Sequence, residues 1–294
     1  MITGISKANP SVLSSVAGIV FESKACLNDA FPECKNIGEI AEALRKSPRP
    51  WSVLLTDHPL ALFTMHISDT EATLDKFHPL GVGSVQEVIP PLLKDLEQMK
   101  IRTLTLNAPE EFADPLTSMG FQSRGSAVRF SGPITQTTFM PILPLTNPDQ
   151  KGLLPLAELM RESYAKSKEA TRFADSSLCE KHLREIMTGS RGSFLAEASF
   201  ISSTPGTGNV MSAALVTSAA PEEAALAELF THPLYRARGL ATTELQSGMN
   251  RLAKSGVSRL SAWVAEDHEV MRRLLSKLGL KQDRTRVQVT RTIQ

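Results

Sequence analysis

No apolar run in this chain approaches the ~20 residues a helix needs to cross a bilayer, so nothing in the sequence predicts a membrane span. Residues 1–30 mix Ser, Glu, Lys and Asp with short apolar pieces, where a secretory leader would place a basic stretch before an apolar core. Cysteine is scarce: Cys26, Cys34 and Cys179 are an odd number with no CxxC pair and no His-rich spacing. A disulfide framework and a metal site are therefore not expected, and a reducing, cytoplasmic setting is. An excess of one charge is missing too, since 32 Lys plus Arg against 31 Asp plus Glu leave +1. That excludes a broad footprint for nucleic acid but leaves room for a local basic patch on a phosphorylated ligand. No acidic run marks a polyamine site, no basic-aromatic series marks RNA, and no repeated module marks a protein tail.

What is present is ordinary globular material, 41% hydrophobic and 21% charged, in a 294-residue chain long enough for one large domain or two of common size. The clearest breakpoint is Ser131 to Gln150, SGPITQTTFMPILPLTNPDQ, with four prolines and almost no charge. Proline at that density disfavours a long helix. The reading is a passage between domains near 131–138, a new first strand from Thr138 to Leu143, and domains of 1–133 and 134–294. A helix follows, with Leu153, Leu156, Leu159, Met160 and Tyr164 at helical spacing.

The two halves share an order of motifs. The segment from Leu74 and the segment from Leu226 each run through an apolar stretch, His-Pro-Leu, a glycine-containing turn, a helical stretch and a β-like run. Downstream, Gly120 and Gly279 each close a helix before another β-like run, around Val128 and Val287. A duplicated domain is the reading; two ordinary α/β segments that coincide are the alternative. In the second half, GSFLAEASFISS and NVMSAALVTSA read as a hairpin joined by TPGTGN. AALAELFT is a further strand, Thr242 to Ser255 a helix, SRLSAWVA a strand with Trp263 in the sheet core, HEVMRRLLSKLG a helix, and RVQVTRTI the closing strand of that domain.

The segment with chemistry in it is AELFTHPLYRARGLATTEL, residues 227–245. A strand enters a turn holding Arg236, Arg238 and Gly239, and a helix leaves it. Helix starts expose unpaired N–H groups and the positive end of the helix dipole. Gly239 lets backbone approach a diphosphate closely, and the arginines offer forked donors to phosphate oxygens. The dinucleotide series G-x-G-x-x-G is absent, and so is a GK[ST] triphosphate loop. The bland alternative is an exposed basic turn.

Arg236-Ala237-Arg238-Gly239-Leu240-Ala241 resembles motif A of the GNAT family of N-acetyltransferases, R/Q-x-x-G-x-G/A, set as in that family between a strand and a helix. The resemblance covers residues 138–294 well and 1–130 poorly. It implies an α/β (α+β) fold of two GNAT-like domains, each a mixed central sheet flanked by helices, the first divergent and without cofactor. That first half keeps His78-Pro79-Leu80-Gly81-Val82-Gly83-Ser84 but has no arginine there. In the second, acetyl-CoA would lie with its pyrophosphate on Arg236, Ala237, Arg238, Gly239, Leu240, Ala241 and Thr242. Its pantetheine arm would follow backbone at Leu229, Phe230 and Thr231.

The implied activity is transfer of an acetyl group to a primary amine, with a small-molecule amine or a peptide as acceptor and with a monomer or a homodimer as the working form. The alternatives are an acyl-CoA-binding regulatory protein with little catalysis, or acyl transfer to a non-amine. Glu228 is the candidate base, with a solvated or ion-paired glutamate as its rival; strict alternation places it opposite Ala227 and Leu229. Where the family has its acid tyrosine this chain has Leu275, Gly279-Leu280 replaces Gly-Phe, and His268 replaces a frequent Asn. The acid is then His268, Tyr235 or no side chain, since CoA thiolate leaves readily. Tyr164, Arg172 and Phe173 follow the first helix, where the family shapes its acceptor pocket. Cys179 reads as a small buried apolar residue.

Overall fold

The computed structural model describes residues 4–7, 10–22, 34–46, 51–55, 59–80, 85–149, 152–189, 192–220 and 222–293. The chain divides into two compact units, 1–128 with 285–294, and 129–284. Both borders fall inside strands. No helix among the described residues is long and apolar enough to cross a membrane.

The first unit contains β1 (Gly4–Lys7), α1 (Pro10–Glu22), α2 (Ile37–Lys46), β2 (Trp51–Leu55), β3 (Pro59–Ser68), β4 (Glu71–Pro79), α3 (Val85–Gln98), β5 (Thr103–Pro109) and α4 (Ala113–Ser118). β1 to β4 form an antiparallel ladder, and β4 then pairs β5 in parallel over Glu71↔Thr103 to Leu74↔Leu106. Alternation along β5, with Leu104, Leu106 and Ala108 inward, fits a strand covered on one face. Val85, Val88, Ile89, Leu92 and Leu96 of α3 meet Phe63, Leu74, Phe77 and Leu104 in one core. Val16, Val20, Ile40 and Leu44 of α1 and α2 meet Val53 and Leu62 in another.

The second unit takes the end of β6 (Gln122–Pro133) and continues through β7 (Leu145–Thr146), α5 (Leu153–Tyr164), α6 (Ser176–Met187), β8 (Phe200–Ser203), β9 (Val210–Ala220), β10 (Glu223–Thr231), α7 (Leu240–Lys254), β11 (Arg259–Ala265) and α8 (Glu269–Lys277). Its strand order is β6-β11-β10-β9-β8-β7. α5 and α6 cover one face through Leu156, Met160, Leu183 and Ile186 against Ala213, Leu215 and Phe230. Asp175 starts α6 by accepting from the N–H groups of Ser177 and Leu178. α7 packs against β8, β9 and β10. Gly248 lets α7 close on the Ala198 carbonyl, which a Cβ there would meet at 2.7 Å.

The shared plan read from the sequence reappears as β4-α3-β5 and β10-α7-β11. In both, parallel pairing covers only the first part of the strand: residues 71–74 with 103–106, and 223–226 with 259–262. The hairpin around TPGTGN is present as β8 and β9, although the expected first strand is shortened by a 3-10 turn at Ala196–Ala198.

Two expectations are corrected. Thr138 to Leu143 is not a strand. Pro141 lacks an N–H for a ladder, and the segment is fastened to α7 instead, where Thr137 and Asn250 exchange two hydrogen bonds at 2.9 and 2.8 Å. The last strand, β12 (Lys281–Thr292), does not close the second domain: from Arg286 to Thr292 it pairs antiparallel with β5, so 285–294 belongs to the first unit. Its alternating Val287, Val289 and Ile293 suit that core as well as the other, which is why the pattern misassigned it.

Candidate active site

β10 carries the site because it breaks its own regularity. Leu226 faces Val216 and Glu228 faces Leu215, so one extra residue, Ala227, is inserted as a bulge. The bulge overturns the alternation argument: Ala227, Glu228 and Phe230 all turn to the side covered by α5 and α6. Past the last parallel pair, Leu226↔Ala262, β10 and β11 have no register together, so backbone of Leu229, Phe230 and Thr231 on that side is left without a strand partner. Trp263, expected in the core, is 44% exposed because it sits one residue beyond that last pair. Register puts it on the same face as Ser261 and Ala225, the face of Glu228.

Glu228 is enclosed by two donors. Tyr164, at the end of α5, donates from its hydroxyl to Oε2 at 2.9 Å. His182, from α6, places Nε2 2.6 Å from Oε1. The side chains of His182 and Glu228 are only 6% and 12% exposed. Phe173 packs against both partners, 4.7 Å from Tyr164 and edge-on at 5.2 Å from His182. Burial, followed by the neighbouring Glu228 carboxylate, pushes the Tyr164 hydroxyl well above its ordinary pKa. Tyr164 therefore remains a donor across the physiological range.

Of the residues expected at the acceptor side, Tyr164 and Phe173 join this cluster, while exposed Arg172 lies over the Phe173 ring at 5.0 Å and pairs with Glu169. His182 was missed, although the signal existed: Cys179, His182, Leu183 and Ile186 form one buried stripe of α6, and a histidine there must find a partner. Cys179 keeps its proton, since burial raises its thiol.

The loop between β10 and α7 is built from backbone in unusual conformations. Ala237 and Gly239 both have positive φ, 60° and 80°. The N–H groups of Leu240, Ala241 and Thr242 open α7 with no carbonyl one turn back to accept them. The arginines, expected to act alike, are used differently. Arg236 donates to the carbonyls of Thr231 and Ser163, at 3.2 and 2.6 Å, and so ties the loop to β10 and α5. Arg238 is exposed, rests over the Tyr235 ring at 5.3 Å and forms no ion pair among the described residues. Tyr235 is flanked on its other side by His232, at 5.5 Å.

Gly239 is needed for its backbone conformation more than for space, since the side chain a Cβ would meet is exposed and able to move. An L residue is strained at its φ, and a Cβ would come within 2.8 Å of Ile142 Cδ1. Gly239→Ala is expected to lower stability by about 1–2 kcal/mol, measured by denaturant unfolding; an unchanged midpoint would mean that the loop does not hold this conformation in solution.

His268 caps α8, accepting from the Met271 N–H at 3.3 Å, and is exposed; Glu228 is not among its hydrogen-bond partners. Leu275, at the place of the family's acid, is fully buried. The turn His78 to Leu80 lies at the end of β4, whereas Gly81 to Ser84 lie outside the described residues. No cluster of metal-ligating side chains occurs among the described residues.

A second carboxyl lies behind the loop. Glu244 of α7 is fully buried, and its two oxygens accept from Ser202 and Ser212, at 2.7 and 2.8 Å. Ser212 in turn meets Thr231 at 2.8 Å. Burial raises the Glu244 pKa to about 8, against which the two serine bonds work only in part.

A bulged, splayed strand leading through a glycine turn into a helix, with a partnered glutamate at the bulge, defines an acyl-CoA type of transferase fold. Residues 157–280 match the acetyltransferase (GNAT) family. The fold is similar to a GCN5-related N-acetyltransferase from Sphaerobacter thermophilus, at a TM-score of 0.71 and 13% identity, covering 99% of this chain and 95% of that one. It is also similar to a tandem GNAT protein from the clavulanic acid biosynthesis pathway, at 0.67 and 13%, covering 100% and 98%. A Drosophila protein aligns at 0.62 and 13%, covering 98% of each. No curated protein sequence matches the chain.

Proposed function

We propose that the chain transfers an acetyl group from acetyl-CoA to a primary amine, using the 134–294 half as the cofactor-binding domain and Glu228 as general base. The observation that carries this reading is Glu228 itself, turned by the bulge toward the unpaired stretch of β10 and held on both oxygens. The residues fit an acyl-CoA: unpaired strand backbone at Leu229 to Thr231 suits the amides of a pantetheine arm, and open N–H groups at Leu240 to Thr242 suit a diphosphate. When bound, the thioester supplies the activated acyl group.

Each part of the loop has a distinct task. Ala237 and Gly239 set the turn, Arg236 fixes it, and Arg238 is available to reach phosphate. Glu228 takes a proton from the arriving ammonium, and Tyr164, Arg172 and Phe173 border the acceptor side. With His268 capping a helix, the thiolate leaves without a dedicated acid, its proton coming from the attacking nitrogen. The 1–133 half serves as a structural partner that holds no cofactor.

Calorimetric titration with acetyl-CoA tests the reading. One saturable site per chain is expected, and Arg238→Ala should weaken it by about 1.5–3 kcal/mol, the range for a lost charge-assisted bond. Absence of binding by acetyl-CoA and longer acyl-CoAs would remove the transferase reading and favour a degenerate fold that has lost its cofactor site. Release of free CoA in the presence of small amines then separates an enzyme from a binder.

A further inference from the structure

The bond pattern around Glu228 reaches further than a lone base. Its carboxylate sits on a strand bulge, where backbone geometry leaves the side chain free to choose among rotamers. Two different helices remove that freedom. Tyr164 comes from the last turn of α5 and His182 from the buried stripe of α6, and Phe173 between them packs against both rings. Because Tyr164 keeps its proton, the direction of its hydrogen bond is fixed: it donates, and Oε2 accepts.

Resting on the transferase reading above, we propose that His182 is a positioning residue for Glu228, donating from Nε2 to Oε1 while Tyr164 holds Oε2, so that the remaining lone pairs of the carboxylate face the opening between β10 and β11. The role needs one N–H at that place, which the side-chain amide of glutamine also has.

The proton balance follows from the arrangement. An acceptor amine arrives as an ammonium ion, and one N–H proton passes to a free lone pair of Glu228. The neutral nitrogen attacks the thioester carbonyl, the C–N bond forms, and the C–S bond breaks. The second proton on that nitrogen goes to the departing thiolate sulfur. Glu228 then releases its proton to solvent, and His182 and Tyr164 return it to the starting geometry. Titratable groups that interact with Glu228 are His182 and Cys179 on α6 and Tyr164 on α5, and Tyr164 in turn feels Glu169 and Arg172 on the loop joining those helices.

The test uses the full chain with His182→Gln, His182→Leu and Tyr164→Phe. Melting temperature and acetyl-CoA affinity are measured first, then CoA release with glucosamine and benzylamine as probe amines. His182→Gln is expected to stay within about 5-fold of wild-type kcat, and His182→Leu to fall by about 50-fold with affinity unchanged, less than the ~10²–10⁴-fold that loss of the base itself would cost. Tyr164→Phe, which removes the donor to Oε2, is expected to lower kcat with acetyl-CoA affinity unchanged. Equal turnover for the Leu and Gln variants, or a loss in His182→Leu that follows acetyl-CoA affinity, would overturn the proposal.

A second measurement does not depend on the acceptor. Long-range imidazole 15N spectra should place the His182 proton on Nε2, in a resonance that disappears in His182→Leu and moves in Glu228→Gln. A proton on Nδ1 alone would overturn the proposal even if transfer is seen. If wild type transfers to neither amine while the Nε2 proton is present, it is the amine-transfer reading that fails.

Discussion

Glu228→Gln is expected to lower turnover by about 10²–10³-fold while leaving acetyl-CoA affinity within a factor of about 2. Glutamine preserves the shape of the side chain and can still accept from one neighbour, so the cluster of Tyr164, Phe173 and His182 should remain packed. What it lacks is an oxygen able to take a proton. The Oε2 partner, a tyrosine held in its protonated form, cannot substitute as a base near neutral pH. Comparable losses in kcat and in acetyl-CoA affinity would show instead that Glu228 shapes the cofactor channel. Unchanged turnover would remove it from the chemistry.

The second large effect concerns stability and pH. Glu244 has a pKa of about 8 in the folded protein against 4.5 for the free carboxyl, and burial is the main cause. Between those values the folded chain holds one proton more than the unfolded chain, so stability falls as pH rises through the window. The contribution is fully present below about pH 4.5 and is lost by about pH 8, a change on the order of 5 kcal/mol. Glu244→Gln keeps a side chain that can accept from Ser202 but has no proton to lose. Its melting temperature is expected to pull ahead of wild type steadily from pH 5 to about pH 8 and to keep that lead above it. Parallel curves across that range would mean that Glu244 reaches water or a cation in solution.

Much of the strand-loop-helix segment around Gly239 was legible because its signals are local. A strand running into Arg236-Ala237-Arg238-Gly239 and then a helix is visible in consecutive residues, and the structure has that order as β10, the loop and α7. Glu228 was legible as a residue but not in its facing, because a bulge is one inserted residue with no marker in the sequence. His182 and Glu244 depend on tertiary placement. Each lies on the buried stripe of its helix, beside Leu183 or Thr243, and only the opposing strand or helix shows what satisfies it. The expected strand at 138–143 failed for a similar reason: β-branched and aromatic residues favour a strand only where a partner strand is available, and here Asn250 of α7 takes the backbone instead.

Likeness of the two arginines in the sequence was equally misleading. Arg236 and Arg238 differ by one intervening residue, yet one is bound to two carbonyls and the other rests on a tyrosine ring. Positive φ at Ala237 separates their directions. A residue's type announces the donors it has, while the backbone between two such residues decides where each set points.

The membership of 285–294 in the first unit makes the chain indivisible at any single peptide bond. A cut after residue 133 would leave Arg286 to Thr292 attached to the wrong fragment, away from the Thr103 to Pro109 strand they pair with, and would take Arg129 from its partners Glu223 and Asp283. Residues 285–294 thus complete a unit whose other strands lie far earlier in the chain.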